Sequence, residues 1–400
     1  MSMTYSALYL HIPFCKAKCA YCDFDSRALG GCELERAMDA YCAHLLTLVD
    51  RHGAAGELDR VRTVYIGGGT PSLLGDRLPQ VVRRVRSYCS PIEFTCEANP
   101  ESFDIDLAQA LRDAGVTRVS LGVQSLDTGE LRAIGRIHTA EQAMLAIAQA
   151  KAVGFSTSCD VMCGLPGQTA ESFQRTLDSL LALRPDHVSV YPLQLEEGTP
   201  LARMEEDGLA QVPDEDFQAA CMDLAAHALS AAGFERYEVA SYAQPGHRCF
   251  HNIAYWTGMS YLGLGRSAAG MFDVGCGLER AAASCPCAPE GFADLVPAGF
   301  MGRARFKQLD DAGERFETEL LAPREAMAED LMLACRMTDG IGIDLLKRAG
   351  ALIPERELRA ACGAAVRSGL ATWDGRALVP THLGWLEGNE LFGLLWALAG

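Results

Sequence analysis

The sequence contains no apolar run close to the roughly 18 residues that suggest a membrane-crossing helix. Its start, MSMTYSALYLHIPFC, lacks the basic stretch and long apolar core of a secretory signal. Basic charge is scarce: 35 Lys and Arg stand against 52 Asp and Glu, a net charge of −17 over 400 residues. Binding a nucleic-acid backbone depends on clustered cations, so this deficit argues against such a partner. No repeat at a solenoid period is found. These absences leave a cytoplasmic protein as the expectation. In that reducing compartment the 16 cysteines read as core residues, metal ligands or reactive thiols rather than as a disulfide framework. Most have the character of small core hydrophobes.

From residue 7 to about 194, short β-branched or aromatic runs alternate with longer amphipathic ones. The runs ALYLHIPF (7–14), VRTVYIGG (61–68), EFTCEAN (93–99), RVSLGVQ (118–124), STSCDVM (156–162) and HVSVYPLQ (187–194) read as strands. The stretches between them, such as CELERAMDAYCAHLLTLVD and TAEQAMLAIAQAKAVG, carry apolar residues at helical spacing, and several stop at a glycine. Alternation of this kind implies parallel strands joined by helical crossovers, here six units of a partial barrel. Functional groups in such sheets come from loops at the carboxyl ends of the strands. Beyond residue 210 the pattern loosens into an accessory segment (211–310), followed by a small helical, winged-helix-like unit (311–400).

Three cysteines, Cys15, Cys19 and Cys22, fall in the loop after the first strand as C-x3-C-x2-C. Thiolates at that density suit zinc or an iron–sulfur cluster. A closed zinc site would need a fourth nearby ligand, for which His11 is the local candidate. A [4Fe–4S] cluster on three thiolates instead leaves one iron open. GGGTPS (67–72) follows the second strand, where its glycines allow a close backbone approach. Glu97, Gln124, Arg136 and Asp160 stand at or near later strand ends, carboxylates suited to hydroxyls or ammonium and Arg to a carboxylate.

The cysteine spacing, with Tyr21 just before the last thiol, resembles the signature of the radical S-adenosylmethionine (SAM) superfamily. The series LYLHIPFC, GGGTPS, EANP, GVQS, IGRIH and GLPGQT further resembles its coproporphyrinogen III oxidase-like subfamily. The resemblance implies a radical SAM barrel over residues 1–210. It also implies a cluster on Cys15, Cys19 and Cys22, and SAM contacts from Tyr9, Tyr21, Gly68, Gly69, Thr70, Glu97, Gln124, Arg136 and Asp160. A reduced flavodoxin- or ferredoxin-like donor would supply the electron.

Within that subfamily the chain resembles the HemW-like heme-chaperone branch more than the oxidase branch. The oxidase pattern carries a further cysteine where Phe24 stands, and a longer segment before the cluster than the 14 residues ahead of Cys15. CFHNIAYW resembles an H-N-x-x-Y-W element associated with heme binding, implying His251 as axial ligand and Tyr255 and Trp256 as an aromatic wall, with Cys249 or His247 as alternative ligands. The expected partners are heme or porphyrin and a client heme protein. Peripheral membrane contact and either a monomer or a homodimer are compatible with the sequence. Arg266 and Ala269 depart from the branch pattern, which carries a small residue and a His there. Cys276, Cys285 and Cys287 add thiols in a Gly-rich stretch that reads as a loop, with a second metal site as the alternative. The runner-up readings are the oxidase, a SAM-dependent methylating or heme-modifying enzyme, and a cluster protein that never cleaves SAM.

Overall fold

The computed structural model describes residues 5–274, 300–311 and 313–400. Cys276, Cys285 and Cys287 lie outside them. Six parallel strands run in chain order: β1 (Ala7–Ile12), β2 (Thr63–Gly68), β3 (Glu93–Ala98), β4 (Arg118–Gln124), β5 (Ser156–Cys163) and β6 (His187–Pro192). Between them pass α1 (Gly31–Ala54), α2 (Arg77–Arg86), α3 (Ile105–Ala114), α4 (Thr128–Ala133), α5 (Ala140–Val153) and α6 (Ala170–Ala182). Gly115 and Gly154 end α3 and α5 in the left-handed region, which glycine enters without a Cβ clash.

Side chains alternate across each strand. In β2, Val64 and Ile66 join the core beneath the helices, whereas Thr63 and Tyr65 point inward, as their bonds to His251 and Glu97 show. The barrel interior is therefore polar and the outer layer apolar.

Beyond β6 come α7 (Pro200–Glu206), α8 (Glu215–Ala231) and the short strands β7 (Glu235–Arg236) and β8 (Ser241–Ala243). The chain then crosses the amino ends of the strands and forms α9 (Phe250–Trp256). It next adds β9 (Tyr261–Leu264) parallel to β1, with Ala7 opposite Tyr261. Strands β10 (Ala269–Val274), β11 (Gly302–Gln308) and β12 (Phe316–Leu321) continue antiparallel. The result is a 12-stranded sheet of order β12-β11-β10-β9-β1-β2-β3-β4-β5-β6-β8-β7.

The last part has its own core. Helices α10 (Pro323–Ala334), α11 (Ile343–Ala349) and α12 (Glu355–Arg367) pack with a three-stranded sheet of Ile341–Gly342, Ala371–Trp373 and Ala377–Pro380. Helix, strand, helix, helix and hairpin, in that order, make a winged-helix topology. Among the described residues no helix is long and apolar enough to cross a membrane.

Candidate cofactor site at the carboxyl ends of the strands

The cysteine loop is pinned at several points. Phe14–Cys15 pairs with Arg27–Ala28, Lys18 Nζ donates to the Phe24 carbonyl at 3.0 Å, and the Cys22 N–H donates to the Cys19 carbonyl at 3.2 Å. Arg266 Nε and Ser267 Oγ donate to Asp25 Oδ2 at 2.8 and 2.6 Å. Arg266, which departs from the branch pattern, thus ties the β9–β10 turn to this loop. Cys15 is buried and Cys19 and Cys22 are half-buried; all three line one cavity of about 440 Å³. That volume lies within the ~300–1,000 Å³ of small-molecule and cofactor sites. Burial pushes the Cys22 thiol up.

Tyr21, Gly68, Gly69, Thr70, Glu97 and Gln124 line the same cavity, together with Arg136 and Asp160. A Cβ at Gly69 would lie 2.5 Å from the Phe14 carbonyl oxygen and 2.9 Å from Cys15 Sγ, so only glycine lets the two segments meet. Gln124 holds φ at 63° where the β4–β5 register shifts, strain of a kind that persists where a site requires it.

A chain of hydrogen bonds joins two of the thiols. Arg136 Nη1 donates to Cys19 Sγ at 3.6 Å, Arg136 Nη2 to Asn99 Oδ1 at 2.8 Å, Asn99 Nδ2 to Thr70 Oγ1 at 2.9 Å, and Thr70 Oγ1 to Cys15 Sγ at 3.5 Å. Asn99 was not singled out by the sequence, where it looks like an ordinary turn residue before Pro100; a polar residue two after Glu97 at a strand end was the only signal.

Burial pushes the Glu97 carboxyl up to about 7, with Asp160 adding to the rise and bonds from Tyr65 and the Gly68 N–H opposing it. Asp160 is likewise raised by burial, against hydrogen bonds from Ser189 and Ser120.

Two expected residues stand elsewhere in the barrel. Tyr9 is absent from the cavity wall; its Oη lies 3.0 Å from His11 Nδ1. His11 Nε2 in turn lies 3.3 Å from the Asp25 carbonyl, so neither ring nitrogen is free to close a zinc site. Among the described residues no three His, Cys, Asp or Glu side chains close around a single ion. Three thiols spread around one mouth suit a polynuclear cluster.

The H-N-x-x-Y-W element lies at the opposite end, the barrel floor. Glu93, first residue of β3, accepts from the N–H groups of Phe250 and His251 at 3.0 and 2.9 Å. His251 is 1% exposed, with Nδ1 3.0 Å from Thr63 Oγ1 and Nε2 3.0 Å from Tyr255 Oη. Burial pushes its imidazole down to about 3 and keeps it neutral. Trp256 Nε1 donates to Glu238 Oε2 at 3.0 Å. Cys249 is buried against Glu93, and His247 Nδ1 lies 3.0 Å from Ser156 Oγ. An axial heme ligand needs an uncommitted nitrogen or thiolate facing open space; both ring nitrogens of His251 are engaged and the Cys249 thiol is buried, so neither offers one.

The radical SAM superfamily model matches residues 9–180. The heme chaperone HemW of Mycobacterium tuberculosis (strain ATCC 25618 / H37Rv) is 36% identical over 387 residues, covering 94% of this chain and 91% of that protein. HemW of Escherichia coli (strain K12) is 38% identical over 269 residues, covering 66% of this chain and 69% of that protein. Among solved structures, the coproporphyrinogen III oxidase HemN from Escherichia coli superposes with a TM-score of 0.75 at 18% identity, covering 99% of this chain and 90% of that one, a likeness of fold. Superfamily membership implies a [4Fe–4S] cluster and SAM, and a cavity lined by three thiols, the Arg136 guanidinium and carboxylates that include Glu97 and Asp160 fits both. With those motifs, that fold and those relatives, this chain belongs to the radical SAM superfamily, in the HemW-like branch of its coproporphyrinogen III oxidase-like subfamily.

Proposed function

We propose that the chain holds a [4Fe–4S] cluster on Cys15, Cys19 and Cys22, binds SAM in the adjoining cavity and carries heme to client respiratory proteins in the cytoplasm. The observation that carries the cofactor reading is the convergence of those thiols with Glu97, Arg136 and Asp160 on one cavity. Bound there, cluster and SAM would supply one-electron reductive cleavage of the SAM sulfonium. The protein's part is placement. Gly69 lets the backbone reach Cys15, Arg136 sets a cation beside Cys19, and Glu97 and Asp160 offer acceptors to hydroxyl or ammonium groups. Gln124 is aimed by its strained backbone, and the covered barrel limits access of water. A flavodoxin- or ferredoxin-like donor supplies the electron. Residues 1–210 form the cofactor barrel, 211–310 its floor and sheet extension, and 311–400 the helical unit.

The heme reading is supported by relatives of that name at 36% identity over 94% of the chain. We do not place heme on His251, because ligation there would break its bonds to Thr63 and Tyr255. The test is hemin titration of the anaerobically reconstituted protein, followed by absorption. A saturable spectral change and delivery to an apo-heme protein are expected. Absence of saturable binding would overturn the chaperone reading, and decarboxylation of coproporphyrinogen III with SAM and reductant would replace it with the oxidase.

A further inference from the structure

Floor and cavity are joined by a column of side chains through the barrel interior. The His251 ring stacks on Tyr65 with centroids 5.2 Å apart and planes inclined at 30°. Tyr65 Oη donates to Glu97 Oε1 at 2.8 Å, and Glu97 Oε2 accepts from the Gly68 N–H at 3.1 Å. The column has little slack: a Cβ at Gly67 would lie 3.0 Å from Tyr65 Cε1 and 3.1 Å from Glu97 Cδ. His251 is itself locked by Thr63 on one side and Tyr255 on the other.

We propose that Tyr65, backed by His251, is a positioning residue for Glu97, so that the H-N-x-x-Y-W element acts on the SAM cavity from beneath by holding the Tyr65 hydroxyl against the carboxylate. The inference rests on the reading that Glu97 faces SAM. It gives the motif a task that its buried, fully bonded histidine can perform.

The physical argument is one of orientation and charge. A carboxylate in a covered site keeps its orientation through the groups that donate to it, and each donor also favours its ionised form. Glu97 has two such donors, Tyr65 from the same strand pair and the Gly68 amide. Facing it are Asp160 from β5, which opposes ionisation, and the hydroxyls of Tyr9 on β1, Tyr191 on β6 and Tyr255 on α9, all pushed up by burial and so neutral. Cys96 beside it is pushed up as well. Removing the Tyr65 hydroxyl leaves the Gly68 amide as the one remaining donor to set against burial and Asp160.

The experiment is SAM binding by the anaerobically reconstituted protein, measured by equilibrium dialysis from pH 5.5 to 8.5 (a range of about three units around the ordinary neutral point). Binding by the wild type strengthens as pH rises through about 7, where Glu97 ionises. Tyr65→Phe keeps the ring stack and loses only the donor; its midpoint moves up and its affinity near neutral pH falls roughly ten-fold, the scale of one hydrogen bond to a charged group. His251→Ala shifts the profile the same way by less. The double variant matches Tyr65→Phe alone, because two residues acting through one bond are not additive. An unmoved midpoint in Tyr65→Phe would overturn the proposal, as would additive effects in the double variant. Hemin titration of the same proteins tests the chaperone reading separately: a chain that keeps this SAM profile and binds no hemin loses that reading and retains the positioning role.

Discussion

Gly69 and His251 show how single residues act here through what surrounds them. At Gly69 a Cβ would press within 3 Å of both Cys15 Sγ and the Phe14 carbonyl. Gly69→Ala should therefore strain the cysteine loop by about 1–3 kcal/mol. Iron and sulfide per chain after reconstitution should fall at least as sharply as in a half-loaded protein, with circular dichroism unchanged. His251 makes a pH prediction whose sign follows from its neutral, buried state. Its pKa is about 3 in the folded protein against an ordinary value near 6.5. As pH falls below that ordinary value the unfolded chain takes up a proton that the folded chain refuses, so stability declines until the folded group titrates too. His11 and His187, also lowered by burial, add to the same slope. Thermal unfolding should show His251→Gln losing stability less steeply between pH 6.5 and 4, by on the order of 1 kcal/mol per unit. The sequence disclosed the three thiols, because so tight a cysteine spacing has few other uses. It did not disclose Asn99 or Tyr65. Their roles arise from neighbours 29 and 32 residues away, Thr70 and Glu97 respectively.

Among the elements, α9 is the least self-sufficient. It has seven residues and no side-chain cap from its own N-cap, Cys249. Isolated helices of that length are marginal, so its position depends on Glu93, which accepts from two of its free N–H groups. Glu93→Ala should leave the His251 N–H buried and unpaired at a cost of about 1–3 kcal/mol. Denaturant unfolding should show the loss, and hydrogen exchange should place the added opening at the floor and in β9. The six parallel strands were legible because β-branched runs separated by glycine-terminated helices allow few other arrangements. The seventh parallel strand, β9, was not: it has four residues, and its partner β1 lies more than 250 positions earlier in the chain. The element CFHNIAYW was visible as a motif, but its place in the barrel was not legible. Polarity and aromatic content are the same whether a helix lines a mouth or seals a floor, and only the Glu93, Thr63 and Arg118 contacts distinguish the two.

Across the whole molecule, a surplus of acid converges on a few buried cations. Arg303 on β11 is 1% exposed and reaches Asp273 on β10 at 2.8 Å, together with Glu329 at 2.7 Å and Asp330 at 2.8 Å on α10. One guanidinium thereby ties the antiparallel extension of the sheet to the C-terminal helical unit, whose core is otherwise separate. Burial raises Asp330, with Arg303 opposing the rise. Arg303→Ala would strip Asp330 of its counter-charge and leave Glu329 with Arg305 alone, and breaking a buried pair from one side costs about 3–5 kcal/mol. Arg303→Lys restores the charge but not the fork that serves three acceptors, and should recover only part of the loss. Limited proteolysis should then cut first between β12 and α10 in Arg303→Ala, with the cofactor barrel surviving as the resistant fragment. Barrel and helical unit losing protection together would instead mean that the two cores fold as one cooperative body.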